Sequence, residues 1–268
     1  MIRLTEHLDN VLKKRAMEIH VANHCNLNCM GCSHFSPLSK YSVLEASQYR
    51  KDLMSIHPTI RSYFSEIRLL GGEPLLNNSI ADIIKTTREA FERAGIVLVT
   101  NGLRLPEMKE SFWDSCRWYG VSIGITKYPV GIDYSTIERI VEDNHVDCIV
   151  YADRCGFGKF QKRPLSLSGQ GNSYMNYFNC NFIKEWSCLQ LVGTKLYCCP
   201  TCAYIHLFSG YFGLDIQCDD YLDLATINDA EQIGMFLFSV KDFCKYCQLD
   251  KIEKVDWNKS NKRIEEWT

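Results

Sequence analysis

Cys25, Cys29 and Cys32 stand as C-x3-C-x2-C, and Cys244 and Cys247 as C-x2-C, in a chain of 268 residues with 14 cysteines. Three thiolates so close in sequence converge on one centre only in an irregular loop. Structural zinc takes four ligands, and four cysteines are also the usual set for a [4Fe–4S] cube. Three cysteines on a cube leave one iron open to an exogenous ligand. A zinc knuckle completed by His24 or His34 is the alternative. Disulfide frameworks are typically short and exported. This chain is long, and Met1–Lys14 carries charges throughout with no apolar run of the signal-peptide kind. The expected compartment is the reducing cytoplasm, where clustered cysteines bind metal or do redox work.

Composition narrows the partners. Lys plus Arg number 30 against 32 Asp plus Glu, a net charge of -2, which leaves no electrostatic footprint for nucleic acid. No apolar run approaches the roughly 18 residues that span a bilayer, so no membrane role is expected. With 46% hydrophobic and 23% charged residues, the chain has the composition of an ordinary globular protein with a sizeable core.

The elements that must position the cysteines follow from periodicity. Short apolar, β-branched runs at Met17–Ala22, Ile67–Leu70, Ile96–Thr100, Val121–Ile125 and Val146–Tyr151 read as strands. Leu44–His57, Ser79–Ala94, Pro106–Tyr119 and Asp133–Asp143 read as helices. Ile80, Ile83, Ile84, Thr87 and Phe91 form the apolar stripe of a helix laid on a sheet, with Asn78 or Ser79 as its cap and Gly95 as its stop. Alternating strands and helices imply βαβ units and a parallel sheet. Ligands bind such sheets at the C-terminal ends of the strands. Those ends carry Cys25–Cys32, then Gly71-Gly72-Glu73-Pro74, then Thr100-Asn101-Gly102, then Thr126-Lys127. After about residue 155 the pattern changes to a basic stretch with Lys159, Lys162 and Arg163. Eight cysteines then follow from Cys180 to Cys247. Cys188–Val192 and Leu196–Cys199 read as a hairpin around Gly193-Thr194-Lys195. The expected division is 1–165, 166–250 and a charged tail 251–268, the tail read as a solvated helix or frayed end without function.

The C-x3-C-x2-C loop after the first strand, followed one βα unit later by Gly71-Gly72-Glu73-Pro74, resembles the radical SAM superfamily. The resemblance implies a partial (β/α) TIM-like barrel. It implies that Cys25, Cys29 and Cys32 hold a [4Fe–4S] cluster whose open iron is chelated by S-adenosylmethionine. The glycines would let backbone approach the methionyl end, and Glu73 would accept its amino group. Asn101 and Thr126 lie where such enzymes bind the ribose and carboxylate, with simple loop capping as the other reading. An electron donor such as flavodoxin or ferredoxin is implied as partner. One departure stands out. The family commonly has an aromatic residue before the third cysteine, and here it is Gly31. Phe35 is the expected substitute against the adenine.

The order C-x12-G-x4-C…C-x2-C from Cys180 resembles the twitch domain, a shortened relative of the SPASM domain. That resemblance implies a small cysteine-rich hairpin-plus-helix domain carrying one auxiliary [4Fe–4S] cluster on Cys180, Cys199, Cys244 and Cys247. Counting from Gly193 selects Cys198. The ending Tyr197-Cys198-Cys199-Pro200 selects Cys199, the preferred reading. Cys188 and Cys202 are second-line candidates, and a structural zinc on the same thiols is the alternative.

Length, a single auxiliary cluster and cysteine spacing are similar to 2-deoxy-scyllo-inosamine dehydrogenase-type enzymes. That likeness implies hydrogen-atom abstraction from a small polar substrate, a sugar or aminocyclitol. A secondary alcohol is then oxidised with the auxiliary cluster as electron acceptor. Arg154 or Lys127 would assist hydroxyl deprotonation, and the basic stretch could meet a phosphate. The alternatives are a sugar or cyclitol epimerase, with Cys148, Cys155 or Cys218 as thiol donor, and a peptide maturase, disfavoured by the roughly 24 residues before Cys25.

Overall fold

The computed structural model describes residues 16–151, 157–186 and 188–268. Four βα units and a fifth strand come first: β1 (Ala16–Ala22), α1 (Ala46–Ser55), α2 (Pro58–Arg61), β2 (Glu66–Gly71), α3 (Ile80–Ala90), β3 (Gly95–Thr100), α4 (Glu110–Tyr119), β4 (Val121–Thr126), α5 (Tyr134–Asp143) and β5 (Cys148–Tyr151). Next come β6 (Lys159–Lys162), α6 (Ser173–Asn179), α7 (Asn181–Lys184), β7 (Cys188–Val192), β8 (Lys195–Tyr197), α8 (Pro200–Phe212), β9 (Tyr221–Asp223), α9 (Glu231–Phe238) and β10 (Glu253–Asp256). The main sheet has eight strands in the order β5-β4-β3-β2-β1-β7-β8-β9. The first six in that order run parallel, and β7, β8 and β9 pair antiparallel. This is an α/β fold with the mostly parallel sheet that a partial barrel requires. The hairpin β7–β8 extends that same sheet from the side of β1.

Each strand is apolar where it faces the helices. β1 is buried along its whole length, and the stripe Ile80, Ile83, Ile84, Thr87 and Phe91 is buried under α1 and α4. A hydrogen bond of 2.9 Å from Tyr49 to Thr87 ties α1 to α3. Boundaries differ locally from expectation. α3 ends at Ala90, and Gly95 opens β3 instead of stopping the helix. The cap is not the side chain of Asn78 or Ser79; Asn77 Oδ1 accepts from Ser79 N at 2.9 Å. Pro106 sits in a 3-10 turn, and the helix begins only at Glu110. The hairpin turn is tighter than expected, because Lys195 already pairs with Val192 and Gly193 takes the left-handed conformation, φ 61°.

The tail is the largest correction. β10 pairs antiparallel with β6, and Trp267 is buried against Phe35, Phe208 and Phe212. Three aromatic partners and a ladder offset the ordering entropy of the segment, so it is part of the fold and not a solvated helix. Among the described residues no helix is long and apolar enough to cross a membrane.

Candidate active site

Because β1 to β4 are parallel, their following loops gather at one end of the sheet. The loop after β1 is irregular, with Asn28 and Phe35 at φ 54° and Gly31 at φ 66°. It turns Cys25, Cys29 and Cys32 onto one cavity of about 260 Å³, shared with Gly71, Gly72, Asn101 and Thr126. Burial pushes the Cys25 thiol up to about 11 and Cys29 to about 12, and Cys32 moves the same way. Three thiols so shifted on one cavity become thiolates only against a strong positive centre, so the donor set fits an iron–sulfur cluster.

The glycine pair lines this cavity and also lets two loops meet backbone to backbone. A Cβ on Gly71 would lie 2.2 Å from Ala22 O, and one on Gly72 2.1 Å from His24 O. Gly72 N donates to Ala22 O at 2.7 Å and Glu73 N to His24 O at 3.1 Å. The second loop therefore docks directly on the backbone of the first. Glu73 is fully buried and accepts from Thr100 Oγ1 (2.6 Å), Asn101 N (3.0 Å) and Leu75 N (3.1 Å). It is a strut between the loops after β2 and β3. Oε1 takes two of these donors and Oε2 one, so a carboxylate with about four acceptor sites keeps one on Oε2. Pro74 is buried at the start of the 3-10 turn that Glu73 caps. Asn101 lines the cavity and donates to Asn26 Oδ1 at 2.7 Å, which pins the cysteine loop. Phe35 is buried in the aromatic cluster with Phe208 and Trp267 and does not line the cavity.

A second chamber of about 350 Å³ adjoins the first; Ser33, Leu70, Val99, Thr126, Tyr128 and Phe160 line both. Its floor is a cross-strand row. Glu18 on β1 stands opposite Arg68 on β2 and Gln190 on β7. Gln190 Nε2 donates to Glu18 at 2.5 Å, and Arg68 Nη1 lies 3.5 Å away. Burial raises the Glu18 carboxyl, and Gln190 and Arg68 oppose that shift. Tyr151, Phe182, Trp186 and Trp257 are aromatic walls. Sequence reasoning missed this row. The available signal was charged residues, Glu18 and Arg68, inside otherwise apolar strands. Lys127 reaches the chamber while paired with Glu138 at 2.5 Å. Arg154 and Cys155 lie outside the described residues.

The basic stretch is largely paired off. Lys159 binds Asp256 at 2.5 Å and Lys162 faces Glu253 at 3.9 Å across the β6–β10 ladder. Arg163 lies over the rings of Phe182 (4.2 Å) and Trp186 (5.4 Å). Its Nη2 is 3.6 Å from Cys180 Sγ. Behind it Cys180, Cys199, Cys244 and Cys247 line one narrow cavity. Cys198 instead packs into the main core, and Cys188 lines the chamber. Cys202 and Cys218 stand side by side, Cα to Cα 5.5 Å, and neither lines the chamber. Burial pushes Cys247 up to about 12 and raises Cys199 and Cys244, each further raised by its neighbouring thiols. Four cysteine thiols on one cavity are the donor chemistry of a closed cluster site. Among the described residues no three His, Cys, Asp or Glu side chains are gathered as a single metal ion requires.

Residues 19–127, the strands and loops that build the three-cysteine cavity, match the radical SAM superfamily. Over this segment the chain is similar to a radical SAM domain. The GTP 3′,8-cyclase of Helicobacter pylori (strain J99) is 24% identical over 133 residues, covering 50% of this chain and 39% of that protein. The GTP 3′,8-cyclase of Geobacter sulfurreducens is 27% identical over 148 residues, covering 53% and 43%. The chain thus spans about two fifths of the length of these curated relatives. BtrN, solved in complex with AdoMet and 2-DOIA, superposes with a TM-score of 0.53 at 16% identity, covering 87% of this chain and 92% of BtrN. That likeness extends the shared fold beyond the radical SAM domain to most of the chain.

Proposed function

We propose that this chain is a radical SAM oxidoreductase that oxidises a secondary alcohol of a small polyhydroxylated ring, a sugar or aminocyclitol. Cys25, Cys29 and Cys32 would hold one [4Fe–4S] cluster, and Cys180, Cys199, Cys244 and Cys247 an auxiliary one. When bound, the first cluster and S-adenosylmethionine supply hydrogen-atom abstraction, and the second cluster an electron acceptor. The observation that carries the reading is the chamber's position. It opens into the three-cysteine cavity on one side and is walled by Arg163, which touches Cys180, on the other.

The chain's own residues support this substrate class. A chamber of about 350 Å³ suits one ring-sized ligand. Aromatic walls pack against the C–H faces of a sugar-like ring, and the Glu18–Arg68 row meets its hydroxyls. Glu18 accepts the hydroxyl proton, and Lys127 at the rim orients the ring; Phe160 and Trp257 keep water out. The 2-DOIA complex of BtrN supports a cyclitol-sized ligand by likeness of fold. Flavodoxin or ferredoxin is the proposed electron donor, and the cytoplasm the proposed compartment.

Anaerobic reconstitution with iron and sulfide tests this. About eight irons per chain, and about four in a Cys25→Ala/Cys29→Ala/Cys32→Ala variant, are expected. Release of 5′-deoxyadenosine with a member of a sugar and cyclitol panel, accompanied by ketone formation, completes the test. An iron-loaded enzyme that releases none across the panel would reject the substrate class.

One observation favours a second reading. Cys188 puts a thiol on the chamber wall, where it could return a hydrogen atom to the opposite face of a substrate carbon, making an epimerase. Solvent deuterium in the recovered substrate, lost in Cys188→Ala, would favour that outcome over oxidation.

A further inference from the structure

We infer that the C-terminal segment Glu253–Thr268 is a strap that clamps the cysteine loop, and that the Trp257 indole N–H sets the reduction potential of the cluster Cys29 holds. This rests on the iron–sulfur reading of Cys25, Cys29 and Cys32 given above.

Trp257 Nε1 lies 3.1 Å from Cys29 Sγ, although the two are 228 residues apart in sequence. The strap also closes backbone hydrogen bonds onto the same loop, from Met30 N to Asn258 O at 2.9 Å and from Ser260 N to Asn28 O at 2.7 Å. Trp267 Nε1 donates to Cys32 O at 2.9 Å. The strap therefore touches the loop at the second cysteine, at the third, and between them. It is anchored at both ends, by the β6–β10 ladder and by the burial of Trp267. Gly31 has a reason within this arrangement. It adopts φ 66°, and a Cβ there would lie 3.1 Å from Glu266 O. The strap passes where a larger residue before the third cysteine would stand.

Of these contacts, only Trp257 donates to a ligand sulfur. An N–H aimed at a thiolate withdraws electron density and favours the more negative, reduced state of a cluster, and exclusion of solvent acts in the opposite sense. Trp257→Phe keeps the ring and its packing against Tyr128 but deletes the donor. Trp267→Phe deletes a donor to a carbonyl and leaves the sulfurs untouched.

The test uses the full chain, reconstituted anaerobically and titrated electrochemically with EPR detection. The signal that changes on adding S-adenosylmethionine identifies the first cluster. Trp257→Phe is expected to keep wild-type iron and shift that midpoint to more negative potential. Trp267→Phe is expected to leave the midpoint in place while losing iron faster to a chelator. A wild-type midpoint in iron-loaded Trp257→Phe overturns the assignment. If Trp257→Phe does not retain iron, Trp257→His becomes the readout, since it restores a ring N–H. Iron retention there with a near-wild-type midpoint supports the hydrogen bond, and loss of iron in both variants overturns it in favour of packing alone. Wild-type protein that takes up no iron removes the cluster reading itself, a distinct result.

Discussion

Arg163 holds its Nη2 3.6 Å from Cys180 Sγ while its guanidinium lies 4.2 Å from the Phe182 ring centre. One cation thus faces both the chamber and the second cysteine cavity, and its charge opposes the upward shift of Cys247. Removing it leaves the four thiols of that cavity without the positive charge of this residue. Arg163→Met is expected to lower reconstituted iron from about eight to about four per chain, with Arg163→Lys intermediate. Iron analysis with EPR decides it, and full loading of Arg163→Met would refute the role.

Adjacent Cys198 and Cys199 give a sharp contrast. Cys199 lines the cavity with Cys180, Cys244 and Cys247, and Cys198 packs in the core. Cys199→Ser should lose the second cluster, about four irons. Cys198→Ser should keep it and show only a modest loss of stability.

Gly72→Ala places a methyl 2.1 Å from a backbone oxygen. Neither loop can yield without breaking the hydrogen bond from Gly72 N to Ala22 O. A destabilisation of about 1–3 kcal/mol is expected, read in urea unfolding, together with loss of iron from the first site only.

Glu73→Gln turns an acceptor oxygen into a donor amide facing Thr100 or Asn101. An unmet buried donor costs about 1–3 kcal/mol. Chemical denaturation should show that loss, and Glu73→Gln as stable as wild type would remove the strut role.

Asp133 caps α5 and accepts from Ser135 and Thr136, whose hydrogen bonds hold its carboxyl down at about 2. Its ordinary value is 3.8. A lowered folded value means the unfolded chain binds more protons between the two, so stability rises with pH through that window. The cap's contribution should be complete above about pH 4 and fade as pH falls toward 2. Thermal melts of wild type and Asp133→Ala should therefore differ at neutral pH and converge in acid. A gap that persists undiminished at pH 2 would contradict this linkage.

The strands and helices of the βα units were legible because each buries one face, and burial writes its period directly into the chain. The convergence of Cys25–Cys32, Gly71–Gly72, Asn101 and Thr126 was legible too, because parallel strands put every C-terminal loop at one end. Helix ends were less so. Gly95 reads equally well as a helix stop or a strand start, and only its pairing with Glu66 across β2 and β3 assigns it to the strand.

By itself, then, the sequence determined the βα pattern, the cysteine spacings and the order of the loops, all of which are local or follow from one repeated connection. The tertiary structure alone decided the rest. Gln190 reaches Glu18 across 172 residues and Trp257 reaches Cys29 across 228. That Cys199 and not Cys198 lines the narrow cavity turns on where β8 stops and α8 begins. Such contacts leave no period in the chain. They exist because β7 and β10 find their places beside β1 and β6, and register between distant strands is set by packing of the whole core.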